Sequence, residues 1–440
     1  MAPLLDALLE AMPAPAVAPE APFAMLVSMV SRDPYLGRIV TGRVMAGSAG
    51  VGDRLKALGA GGEPKPAGVG ASADGLARVA KVLKRRGTES VEIERAVAGD
   101  IVSLAGVGGA SVTDTVCAPE VGEALPATPI DAPTLAMTFS VNDSPLAGKE
   151  ADGSPRKGGA VLTAAKLGER LAAEAETNVS LRVRPAEGAG EAFEVQGRGE
   201  LHLGVLLETL TREGYELSVS PPAVLYREGE DGELAEPVEE VMADVADEHA
   251  GAIIEALTQR LGELQDMSSG LPGGRTRLSF RAPTRGLVGF RAQFVGITRG
   301  TGVATRRVLG YERKRGALGG LRSGVMVSMA DGAATLHALG ALEQRGTLFI
   351  EPGDACYAGM IIGENAREGD LDVNPVRAKK LDNMRTQSKD EKVRLQPPRR
   401  LTLEDAMGYV AADELIECAA GAVRLRKRLL DPSKRKRAAR

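Results

Sequence analysis

Two stretches of this chain share one order of elements, and that shared order most limits the folds open to it. In the first, 134–141 is an apolar strand, 159–173 a helix, and 179–183 and 193–196 are strands. A helix over 200–212 then sets Leu203, Leu206, Leu207 and Leu210 on one face, and 215–219 alternates as a closing strand. The second stretch runs from a strand at 237–245 through a helix at 250–261, a strand at 275–282 and a helix at 284–298 to a last strand at 302–311. Strand-helix-strand-strand-helix-strand is the order of a ferredoxin-like split βαβ unit, so the expectation is a multidomain α+β chain with two such α/β plaits in tandem.

The flanks read differently. Residues 4–12 form a short amphipathic helix that stops at Pro13, and the Pro- and Ala-rich stretch 13–22 reads as a linker. From 23 to 125 short strands alternate with Gly-rich turns, the pattern of a small β-barrel. After 317 the chain again alternates Gly-rich turns with short strands, at 324–329, 346–350 and 359–363. The polar, basic stretch 374–392 has little apolar periodicity and reads as a long loop. A helix opens at Thr402, whose hydroxyl is placed to cap it with Asp405 three residues on, and a strand at 422–428 precedes a basic end.

At 440 residues the chain needs three or four cores of ordinary size. With no Trp and 3% aromatics, those cores must rest on aliphatic side chains and Met. Cys117, Cys356 and Cys418 stand far apart with no CxxC, which fits a reducing compartment and excludes a Cys-based zinc site or a disulfide framework. No cationic leader precedes Arg32 and no apolar run reaches the ~18 residues of a membrane span, so the cytoplasm is the expected location. The net charge of −4 is unevenly spread. Residues 374–440 hold 18 Lys and Arg against 9 Asp and Glu, while the remainder holds 37 against 50. One end therefore has the charge to face a polyanion, although a basic solvated surface has the same composition.

The chemistry of nucleotide hydrolysis is missing. A phosphate loop needs GxxxxGK[ST], and the single Gly-Lys pair, Gly148-Lys149, is followed by Glu150. No guanine-reading Asn-Lys-x-Asp occurs, and the DxxG match at 405–408 lies inside a helix. His202, His249 and His337 are scattered and make no metal constellation. The GxG of Gly197-Arg-Gly-Glu-Leu-His-Leu-Gly204 reads as a tight turn from strand into helix, because the rest of the dinucleotide fingerprint is absent. What remains is the basic loop, where Arg377, Lys379, Lys380, Arg385, Lys389 and Lys392 stand among Asn383, Thr386, Gln387 and Ser388. Cations neutralise phosphates while amides and hydroxyls bond sugars and base edges, so the loop can meet a structured RNA. It has no aromatic platform for stacking on single strands. A solvated loop is the competing reading. The run 433–437 resembles a localisation signal but reads better as a frayed basic tail.

Gly197-Arg-Gly-Glu-Leu-His-Leu-Gly204 resembles the third-domain motif of elongation factor G relatives, and Pro283-Thr-Arg-Gly-Leu-Val-Gly-Phe-Arg291 with Thr298-Arg-Gly-Thr-Gly302 resembles the fifth-domain motif. Asp370-Leu-Asp-Val-Asn374, Lys379-Lys-Leu-Asp-Asn-Met-Arg385, the stretch 397–406, Asp413-Glu-Leu415 and Arg424-Leu-Arg-Lys-Arg428 are similar to the carboxy-terminal domain peculiar to TypA/BipA translational GTPases. The resemblance covers the whole chain. It implies a layout of 1–20 as a remnant helix and linker of the GTPase domain, 21–128 as the translation-factor barrel, 129–228 and 229–316 as the ferredoxin-like domains, and 317–440 as the family-specific domain. It further implies a ribosome-binding body, monomeric and not membrane-bound, acting in ribosome assembly and under stress. Its RNA partners would be the large-subunit ribosomal RNA and A-site transfer RNA, met by Arg377, Lys379, Lys380, Asn383, Arg385, Lys389 and Lys392. GTP and Mg2+ are implied for the complete family protein and no cofactor for this chain, whose resemblance leaves the GTPase domain out. The alternative is a stand-alone, non-enzymatic ribosome or RNA adaptor.

Overall fold

Alternating apolar residues on short strands bury one face each, and here they assemble into three substantial sheets. The computed structural model describes all residues except 1, 13–15, 67–75, 129, 150–152, 155–161, 189, 230, 320–321, 379–393, 420 and 439–440. The chain divides into two compact units, one made of residues 1–132 and 172–181, the other of 133–171 and 182–440.

In the first unit the strands Ala24–Asp33, Gly37–Ala46 and Ile101–Ala105 form the middle of an eight-stranded sheet. Met25, Val27, Val40, Val44, Val102 and Leu104 fill its core, each at alternate positions of its strand. The sequence pattern predicted a small barrel. Among the described residues the two edges, Ala77–Arg78 and Glu89–Ile93, are not hydrogen-bonded to each other, so the sheet is not a closed barrel. The helix Ala2–Ala11 leaves Leu4, Leu5, Leu8 and Leu9 exposed.

In the second unit both repeated stretches form antiparallel sheets of four strands in the order fourth, first, third, second. The first uses Leu135–Val141, Arg182–Pro185, Phe193–Gly197 and Leu217–Val219. The second uses Leu234–Ala246, Glu263–Leu271, Arg275–Pro283 and Val303–Arg313. Helix Glu200–Arg212 matches its predicted bounds and buries Leu203, Leu206, Leu207 and Leu210. The strand expected at 179–183 begins later, because Asn178 makes a turn: its side chain accepts from the Ser180 amide (3.2 Å) and its carbonyl from the Leu181 amide (3.0 Å). Strand Glu263–Leu271 has no apolar alternation and escaped the pattern; its ladder to Arg275–Pro283 makes it.

The carboxy-terminal strands do not make a separate sheet. Glu414–Ala419 pairs with Leu217–Val219 through Leu217↔Cys418, Ser218↔Glu417 and Val219↔Ile416. Ala422–Lys427, Met360–Asn365, Val325–Ser328 and Leu371–Val373 extend the sheet further, and Ala223–Val224 and Gly346–Leu348 pair beside this path to make eleven strands. Helix Leu403–Tyr409 starts with the predicted capping box of Thr402 and Asp405. Helix Leu336–Leu342, not anticipated in the sequence, is capped by the Thr335 hydroxyl, which accepts from the Ala338 amide.

Charged side chains are buried where these parts meet. Glu417 is fully buried and faces Arg424 (3.3 Å), Arg426 (3.4 Å) and the Tyr357 hydroxyl. Arg426 also donates to Asp143 and to Ser218 Oγ (3.2 Å). Beside it Lys427 meets Asp370 (2.5 Å), Asp413 (2.8 Å) and Glu414 (2.9 Å), which hold its ammonium above the usual lysine range against the desolvation of burial. Glu200, the acid of the GxG motif, joins the two repeated stretches: its carboxylate accepts from the Gly289 amide (2.9 Å) and pairs with Arg306 (3.2 Å). Gly289, with φ of 70°, and Gly408 touch backbone to backbone, and a Cβ at Gly408 would lie 2.5 Å from the Gly289 Cα.

Two outcomes follow from this packing. Glu417→Gln removes the carboxylate that faces buried Arg424 and Arg426, leaving Arg424 without a carboxylate partner among the described residues, and should destabilise the protein by about 3 kcal/mol in urea unfolding. Arg400→Gln, which breaks only the surface pair with Glu351, should leave the urea midpoint unchanged. All three thiols are buried; desolvation raises that of Cys117 and pushes those of Cys356 and Cys418 up to about 12. At pH 8 they stay protonated, so a disulfide reagent should leave the native chain unlabelled and label it once urea unfolds it. Their contribution to stability is complete below the ordinary thiol range and declines as pH rises toward 12.

Candidate RNA-contacting surface

The basic stretch predicted as a loop leaves the fold from strand Leu371–Val373 and returns ahead of helix Leu403–Tyr409. Lys379, Lys380, Asn383, Arg385, Lys389 and Lys392 lie outside the described residues. Arg377 is described and exposed.

Both feet of the stretch are built on one support, the helix Leu336–Leu342 with the turn and strand after it. At the first foot the Pro375 carbonyl accepts from the Thr335 amide (2.9 Å) and the Arg377 carbonyl from the Thr335 hydroxyl (2.7 Å). Asn374 closes the turn by accepting from the Val376 amide (3.0 Å). At the second foot Leu395 packs on the core of Leu339, Leu342 and Leu348. The Gln396 amide donates to Glu343 (2.6 Å) and the Arg399 amide to the Leu348 carbonyl (2.9 Å). A single Thr therefore caps the supporting helix and holds the first foot. Its spacing four residues after Asp331 carried no signal of that second task.

The basic end is not frayed. Pro432–Ala438 is a helix, with Asp431 accepting from the Ser433 amide (2.7 Å) at its start. Arg435 fixes it by donating to the carbonyls of Leu429 (3.2 Å) and Leu430 (2.7 Å) and to Asp372 (2.9 Å). Lys434, Lys436 and Arg437 stay exposed. Asp372 lies on the strand that feeds the first foot, so this helix is tied to that strand. Among the described residues the surface has cations placed to meet phosphates and no convergent acid–base pair.

GTP and Mg2+ do not fit these residues. The chain has no phosphate-loop or guanine-reading motif. Among the described residues no group of three or more His, Cys, Asp or Glu is placed to hold a metal ion. His249 meets Glu248 (3.3 Å) and His337 lines a cavity of about 320 Å³ with Arg345, Asp372 and Arg377, so the histidines do not converge. No helix among the described residues is long and apolar enough to cross a membrane.

Comparison with known proteins matches residues 323–432 to the TypA/BipA C-terminal domain and residues 233–319 to the elongation factor G C-terminus. The chain is 43% identical over 427 residues to the large ribosomal subunit assembly factor BipA of Synechocystis sp., covering 97% of this chain and 68% of that protein. It is 40% identical to the protein of that name from Bacillus subtilis, covering all of this chain and 68% of that protein. The Escherichia coli protein is 41% identical, covering all of this chain and 69% of its own length.

Arg435 is the contact that sets the basic helix in place. Arg435→Gln should raise trypsin cleavage within 432–438 about fivefold while the melting temperature stays near that of the parent chain. Unchanged cleavage would mean that the helix is held by something else.

Proposed function

Because this chain belongs to the TypA/BipA family, we propose that it is the ribosome-binding body of a large-subunit assembly factor. The identity of 40–43% along essentially the whole chain carries this reading. The chain spans about two thirds of the length of these relatives and holds no phosphate-loop or guanine-reading motif, so GTP hydrolysis would rest on residues other than those here. Residues 21–128 serve as its all-β module, 129–228 and 229–316 as ferredoxin-like domains, and 317–440 as the domain that reaches RNA. The strand order of the two plaits supports that layout.

Large-subunit ribosomal RNA and A-site transfer RNA are the partners that fit the basic surface. Arg377, Lys379, Lys380, Asn383, Arg385, Lys389 and Lys392 act on the loop, with Lys434, Lys436 and Arg437 on the helix beside it. Cations without aromatic neighbours hold a folded RNA through its phosphates, so binding is salt-dependent and tolerant of sequence. The chain works as a monomer in the cytoplasm, where ribosomes are assembled.

The test is sedimentation of the purified chain with 70S ribosomes and separated subunits across a salt series, with and without a GTP analogue. Co-sedimentation with the large subunit that is independent of nucleotide and weakens steeply with salt is the expected result. Charge reversal of Arg377, Lys379, Lys380 and Arg385 together should reduce it about tenfold or more. A chain that stays in the supernatant at low salt would sink the reading.

A further inference from the structure

One cavity of about 610 Å³ in the second unit belongs to neither the RNA surface nor the family's nucleotide chemistry. Its walls come from the end of helix Asp247–Gln259, the helix Phe290–Ile297, the segment before strand Val325–Ser328, and helix Leu403–Tyr409. The volume is that of a site for a small organic ligand.

Several donors on its walls have no acceptor among the described residues. Arg260 is 7% exposed, and no carboxylate lies within ion-pair distance of it among the described residues. Its Nε donates to Gln293 Oε1 (3.0 Å) and its Nη1 to the carbonyls of Gly286 (2.8 Å) and Val288 (3.0 Å). All three are neutral oxygens, and Nη2 has no acceptor among the described residues. Desolvation lowers the guanidinium from its ordinary range, and only the Glu200 carboxylate, beyond ion-pair distance, and the Phe290 ring, 5.7 Å away, offset its charge in part. Arg322 Nη1 and the Tyr409 hydroxyl, also on the cavity, are buried without a partner. The Arg322 guanidinium lies over the Tyr409 ring, 4.5 Å from its centroid, rather than in line with the hydroxyl.

The acids around the cavity are already engaged. Glu364 faces Arg399 (3.4 Å), Glu404 faces Arg291 (3.4 Å), and Asp405 accepts from the Thr402 amide and hydroxyl. What the cavity lacks is an acceptor-only group carrying negative charge, and an oxyanion is that group. The remaining volume, with Gln259 and Gln293 on its wall, leaves room for a hydroxylated body beyond the anion.

We propose that this cavity binds a small phosphorylated ligand, with Arg260 and Arg399 contacting its phosphate. The site joins the second plait to the carboxy-terminal strands, so an occupant would brace the two against each other. Calorimetric titration of the full chain with inorganic phosphate, pyrophosphate and ribose 5-phosphate, at constant ionic strength against a chloride control, tests it. Saturable binding of at least one of the three is expected, weakened about tenfold or more in Arg260→Gln and in Arg399→Gln. Arg399 is exposed, so its variant keeps the test open if Arg260→Gln fails to fold. No binding above the chloride control, or an unchanged affinity in folded Arg399→Gln and Arg260→Gln, overturns the proposal. So does binding confined to a 5′-phosphorylated RNA oligonucleotide, which would make the cations part of an RNA surface.

Discussion

The three-residue ladder between Leu217–Val219 and Glu414–Ala419 is the contact on which the second unit depends. Its strands come from segments about two hundred residues apart, and closing so long a loop costs entropy that a short ladder alone does not return. The return comes from side chains on and beside it. Leu217, Val219, Ile416 and Cys418 are buried, and Glu417 gathers Tyr357, Arg424 and Arg426 around one carboxylate. Ion pairs buried at this depth are weak evidence for stability in themselves. They make the register specific, because a slip of this ladder by one residue would part Arg426, on the next strand, from Ser218.

The same device recurs at the other joints. Glu200 binds the second plait through Arg306 and the Gly289 amide, and Glu414 binds Arg322 (2.6 Å) and Lys427. In each case one buried carboxylate satisfies donors from separate segments, and glycines at 289 and 408 let the backbones approach. The basic loop consequently rises from a support that is tied through the shared sheet to the first plait. Such a support fixes where the two described ends of the basic stretch stand.

Amphipathic periodicity made much of this legible beforehand. The leucines of 200–212, the capping pair Thr402 and Asp405 and the two plaits all rest on local signals, which a sequence shows directly. Strand Glu263–Leu271 was hidden because an edge strand of mixed polarity has no period to detect, and helix Leu336–Leu342 because seven residues hold fewer than two full turns. The order of the end of the chain was misread for a related reason. Arg435 looks like one cation in a run of four, and its bonds to Asp372 and to the Leu429 and Leu430 carbonyls set that run in place.

The sequence by itself determined most of the segments that fold and their type, the family and the place of the basic stretch, because these follow from residue order and local physics. The tertiary structure decided that the carboxy-terminal strands extend the sheet of the first repeated stretch, that the expected barrel is an open sheet among the described residues, and that Glu200 and Glu417 are clamps. It also decided which cations meet a carboxylate directly and which, like Arg260, are held by neutral oxygens. Those outcomes depend on residues distant in sequence meeting in one place, and the identity of a buried charge's partner is written in no local pattern.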